Sequence, residues 1–102
     1  MAGVHHVTIR DQVRERGGVT YHLNCGPTGL VVRVFPLDNQ QWRIEASTTD
    51  PVDAVVAIAS APTSQGAVHD VAKWWREKAD LLELPSIDWE AVARAMADGQ
   101  AP

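Results

Sequence analysis

One cysteine, one tyrosine, one phenylalanine and two methionines are all that this 102-residue chain holds of those residue types. The lone thiol, Cys25, excludes an intramolecular disulfide, so the fold has to stand on packing, and the compartment expected is a reducing cytoplasm. No stretch approaches the roughly 18 consecutive apolar residues of a membrane-spanning helix. The first residues reach Arg10, Asp11 and Arg14 with no apolar segment between, so no signal peptide is expected. Basic charge is also scarce: nine Lys and Arg stand against thirteen Asp and Glu, for a net charge of −4. That balance weighs against general polyanion binding, which depends on neutralising phosphates with Lys and Arg. Gly-x-Ser-x-Gly, His-Glu-x-x-His and a phosphate loop are all missing.

What remains is ordinary globular material, 45% hydrophobic and 22% charged. A chain of this length buries roughly two thirds of its unfolded surface, enough for one core. A single α+β domain over residues 1–102 is expected, with 1–17 as an edge strand or flexible arm and 98–102 as a frayed tail.

Residues 4–10 alternate weakly and read as a strand, which the charged run Asp11 to Arg16 and a turn at Gly17-Gly18 then end. Val19, Tyr21, Leu23 and Cys25 alternate with Thr20, His22 and Asn24, the period-two pattern of a half-buried strand. A four-residue turn, Gly26-Pro27-Thr28-Gly29, leads to a partner strand with Leu30, Val32 and Val34 inward. Pro36 to Asn39 break it, and Trp42, Ile44 and Ala46 mark a third alternating strand. Strands joined by short turns make an antiparallel meander of four to five strands.

Residues 51–60 are open to two readings. Asp50-Pro51 with Asp53 suits a helix start, whereas the β-branched run from Val55 between Pro51 and Pro62 suits a buried strand with Val56 and Ile58 inward. The short span between prolines favours the strand.

The longest helical period follows. Val68, Val71, Ala72, Trp75, Ala79 and Leu82 recur at i, i+3, i+4 and i+7, after a cap at Thr63 or Ser64, and the helix is expected to reach Leu82 or Glu83 before Pro85 stops it. Arg76 and Asp80 form an i,i+4 pair. A second helix is expected from a Ser86 cap, with Trp89, Val92, Ala93 and Met96 on one face and Gly99 as terminator. Both helices should lie on one face of the sheet. The expected core is Tyr21, Leu23, Leu30, Val32, Val34, Trp42, Ile44, Val56, Ile58, Val68, Val71, Ala72, Trp75 and Val92.

Chemistry finds little to use here. His22 and Cys25 are three apart on a strand and point to opposite faces, so they do not form a nucleophile–base pair, and Cys25 falls on the apolar side. His5 and His6 diverge on a strand, and His69-Asp70 reads as a solvated helix pair, so neither a metal nor a cofactor is expected. The sheet-then-helix order is similar to that of double-stranded-RNA-binding domains. The likeness ends there, because Thr63-Ser64-Gln65-Gly66 lacks the basic residues that family puts at its helix start, and its leading helix is missing. A nucleic-acid-associated regulator is the second reading.

The first reading rests on tryptophan. Four in 102 residues is a high count, and tryptophan is over-represented in interface hot spots. Trp74 is turned about 100° from Trp75, off the main stripe. With Lys78 and Leu81 it is the expected contact surface of a small non-enzymatic binding or regulatory module that meets a protein partner or a second copy of itself. Whether the second helix covers Trp74 is open at this level.

Overall fold

The computed structural model describes residues 7–26, 28–50, 56–84 and 86–100. Five strands form one antiparallel sheet in the order of the chain: β1 (Val7–Glu15), β2 (Gly18–Cys25), β3 (Thr28–Pro36), β4 (Trp42–Asp50) and β5 (Val56–Ala61). Two helices follow, α1 (Ser64–Lys78) and α2 (Trp89–Gln100). The expected α+β meander is the fold. No helix among the described residues is long and apolar enough to cross a membrane.

Alternation sets the register. Tyr21, Leu23 and Cys25 of β2, Leu30, Val32 and Val34 of β3, and Ile44 and Ala46 of β4 are all buried on one face. Tyr21 pairs with Val32 and Val34 with Ile44, so cross-strand neighbours stack in the same layer. Onto this face α1 packs over β4 and β5, and α2 packs against β1. Val71 and Trp75 of α1 and Trp89, Val92 and Met96 of α2 complete the core. Trp75 sits between its neighbours, edge-on to Trp74 at 6.3 Å and to Trp89 at 5.6 Å.

Several boundaries differ from expectation. β1 does not end at residue 10; it continues through the charged run to Glu15, pairing Gln12 with Tyr21 and Arg14 with Val19. An edge strand tolerates charge because its free side is wet. A shift of register between Ile9 and Asp11 marks a bulge. The turn lies at Arg16-Gly17, both with positive φ (51° and 81°), which a two-residue hairpin loop requires, and Gly18 is already strand. The next hairpin is just as tight. Cys25 pairs with Thr28, so Thr28 and Gly29 belong to β3 and the four-residue turn shrinks to two residues, with Gly26 at φ 62°.

Residues 56–61 form a strand, and its register corrects one core assignment. Glu45 pairs with Ile58, which places Ile58 on the row opposite to buried Ala46 and Ala57. Ile58 is accordingly 53% exposed. The side chain of Val56, also expected inward, lies outside what is described. Trp42 and Val68 pack at the rim of the core and are only partly buried.

Thr63 caps α1, its hydroxyl oxygen accepting from the Gly66 N–H at 2.9 Å. A Cβ on Gly66 would approach that oxygen to 3.0 Å and the Ala61 Cβ to 3.2 Å, so glycine lets the cap sit close to β5. The helix stops at Lys78, short of Leu82. A hydrogen-bonded turn replaces its last residues: the Leu84 N–H donates to the Ala79 carbonyl at 2.8 Å, with Glu83 at φ 54° before it, a Schellman closure made without glycine. Arg76 turns its Nε to the Ala72 carbonyl of its own helix (3.4 Å). At α2 the cap is Asp88 and not Ser86, since the Asp88 carboxylate accepts from the Ala91 N–H at 3.1 Å and Gly99 lies within the helix. The expectations for Val4 to His6, the helix start at Pro51 to Asp53, Pro27, Pro85 and the tail at 101–102 fall outside the described residues.

Candidate functional site

The two helices give α1 two distinct flanks. Gln65, Val68, His69, Ala72 and Arg76 line a groove of about 490 Å³ whose other wall is the segment Ile87 to Ala93 around α2. At 100° per residue, Trp74 lies half a turn from Gln65, on the flank of α1 that faces away from α2. Because α1 lies over β4 and β5, that flank overhangs the β5 edge of the sheet. Trp74 is half-buried and packs against the core through Trp75. Lys78, one turn on, is half-buried too. Leu81 follows in the turn after α1 and is 75% exposed, with Leu82 beside it at 43%. The three residues singled out from the sequence thus share the C-terminal end of α1. Trp74 does not enter the Trp75–Trp89 contact, and it is neither wholly covered nor free.

A second surface was not visible in the sequence: the outer face of the sheet, on which no described element packs. Register lines up Val13, Thr20, Arg33, Glu45 and Ile58 across all five strands. Glu45 holds two arginines there, Arg33 at 3.0 Å and Arg43 at 3.1 Å, and the Arg33 guanidinium lies 5.3 Å from the centre of the Phe35 ring. Both ion pairs are solvent-facing and contribute under about 1 kcal/mol. One carboxylate thus offsets half the charge of the two guanidinium groups it holds. Asp11 pairs with His22 across β1 and β2 on the same side.

The interhelical groove has one notable wall. Trp89 is buried, and its indole N–H finds no acceptor among the described residues. Around it the charges are mixed, with Arg76 against Asp88 and Glu90. Among the described residues no three His, Cys, Asp or Glu side chains gather as a metal site; His69 is exposed on α1, and His5 and His6 fall outside those residues.

Cys25 is buried on the inner face, 2% exposed. Burial, and secondarily the Asp88 carboxylate, push its thiol up to about 11. A thiol so protonated is a poor nucleophile. In the folded protein it should resist a disulfide reagent at pH 8 and react fully once denaturant is added; rapid labelling of the native protein would show that the site opens. The same shift has a stability consequence. Below pH 9 both states keep the proton; between 9 and 11 the unfolded chain loses it first, so stability falls as pH rises through that window.

No family model, curated protein or solved structure matches the chain.

Proposed function

We propose that this chain is a small non-enzymatic binding module that works through protein contacts, with the C-terminal end of α1 as its contact surface. The observation that carries the reading is Leu81, 75% exposed next to a second exposed leucine and about two turns beyond a half-buried tryptophan. Scattered apolar residues on a surface are normal, but large side chains gathered at one helix end are what an interface core is made of. Lys78 beside them supplies a charge for the rim. A cytoplasmic setting belongs to the same reading, since the lone Cys25 thiol needs no oxidising compartment.

The nucleic-acid alternative has less behind it. Single-strand binders present aromatic rings on a basic sheet face. Here the outer face holds Phe35 under Arg33, and Glu45 already occupies both arginines.

Leu81→Asp is the test. The side chain is exposed, so the circular dichroism spectrum and melting temperature should stay within about 0.5 kcal/mol of wild type. Affinity purification should recover a stoichiometric protein, or an untagged copy of the chain, on wild-type bait and at least about tenfold less on the variant, a loss equivalent to about 1.4 kcal/mol. Identical recovery on both baits overturns the assignment of this surface.

A further inference from the structure

Resting on that reading of the Trp74 flank, we infer that the partner is a second copy of this chain, joined edge to edge through β5. The two sheet edges are built differently. β1 carries Arg10, Asp11, Arg14 and Glu15 and is broken by a bulge, devices that discourage further pairing. β5 has none of them: its sequence, Val56-Ala57-Ile58-Ala59-Ser60-Ala61, holds no charge and no proline, and its register with β4 runs without interruption. Among the described residues no strand pairs with its outer side, and none of the backbone hydrogen bonds formed outside the ladders and helices reaches it. An uncharged edge can meet its own symmetry mate without like-charge repulsion in any register, whereas on β1 the alternating charges and the bulge restrict which registers are open.

A two-fold axis perpendicular to the sheet near Ile58 pairs the two β5 strands antiparallel and makes one ten-stranded sheet. The faces then match, with both exposed Ile58 side chains meeting on the outer side and both α1 helices on the inner side. A helix seated over the β4–β5 gap lies about 2.4 Å inside the edge strand, so its mate falls about 10 Å away, which is helix-packing distance.

Charge along that seam is self-complementary. Asp70 and Lys78 flank Trp74 by four residues on either side, about 6 Å each way and only 40° off its direction. Antiparallel helices related by the two-fold therefore set Asp70 of each copy opposite Lys78 of the other, with the two Trp74 side chains between them. Such an isologous contact closes at two copies.

Sedimentation velocity at micromolar concentration tests the arrangement. Wild type should run as a dimer. Ile58→Lys changes a side chain that is already 53% exposed, so it should keep the wild-type circular dichroism spectrum while running as a monomer. Lys78→Asp alone should raise the dissociation constant at least tenfold, as should Asp70→Lys alone, and mixing the two variants should restore a heterodimer, a rescue that simple loss of packing would not give. A monomeric wild type, a dimer indifferent to Ile58→Lys, or no rescue on mixing overturns the inference. If the wild type is monomeric and a different protein is still captured in a Leu81-dependent way, the second copy is wrong and the binding surface stands; if Leu81→Asp also changes nothing, both fall.

Discussion

Replacing Trp75 by alanine should cost about 3–5 kcal/mol, at the top of the range for a single side chain. Trp75 is 2% exposed and packs edge-on against both Trp74 and Trp89, so its indole connects α1 to α2 above the sheet. Removing it subtracts the transfer free energy of the ring and leaves a void that neighbours on three elements cannot fill without moving. Domains of this size have about 5–15 kcal/mol in total, so the variant should be marginal at best. The melting temperature should fall by roughly 15–30 °C. Urea melts followed by circular dichroism give the number, and Trp75→Phe, which keeps part of the buried area, should fall between the two. A loss under about 1 kcal/mol would mean that the helices do not depend on this contact.

The second large effect is expected at Gly18, for a reason that involves no unusual backbone angle. A Cβ there would stand 2.6 Å from the Phe35 Cβ, 2.8 Å from the Val34 carbonyl oxygen and 3.1 Å from the Phe35 Cα. None of these atoms is the far end of a flexible side chain, so β2 and β3 would have to separate where they are paired. Gly18→Ala should cost about 2–3 kcal/mol, at the upper end of overpacking effects. Gly17→Ala is the informative comparison. Its φ of +81° makes alanine strained, yet its Cβ would come no nearer than 3.5 Å to Pro36, so only the backbone cost of about 1 kcal/mol applies. Denaturant midpoints should therefore rank wild type, then Gly17→Ala, then Gly18→Ala. The reverse order would mean that strand spacing, and not turn geometry, adapts easily.

Alternation alone was enough to read β2, β3 and β4, because one face of each is buried and the other wet, and a period of two reports that contrast directly. The stripe Val68, Val71, Ala72 and Trp75 revealed α1 in the same way. Edges were harder. β1 hides inside a charged run because its pairing is satisfied on one side by backbone groups, to which side-chain polarity gives no clue. Ile58 misled for the opposite reason: a β-branched side chain on an edge strand looks like core until the register with Glu45 shows its direction. Helix ends were misplaced because caps are decided by geometry. Asp88 outcompetes Ser86, and a Schellman turn closes on Glu83, a residue type that seldom takes positive φ. As for the candidate site, Trp74, Lys78 and Leu81 could be grouped from helical spacing, whereas the bare edge they overhang follows only from strand order.

That strand order also governs how the chain reaches its final form. Each strand pairs with the next one along, and two of the hairpins close over two-residue loops, so most of the sheet can assemble from contacts that are short in sequence and entropically cheap. The exception is α2, the last element, which rests on β1, the first. That docking spans nearly the whole polypeptide and is the costliest loop to close. During synthesis the meander can zip together as it emerges, but its first strand stays without its helical cover until residues 89–100 have left the ribosome. Until then β1 keeps only its ladder to β2, and the bulge and charges along it are what the nascent chain has to discourage premature pairing with its neighbours.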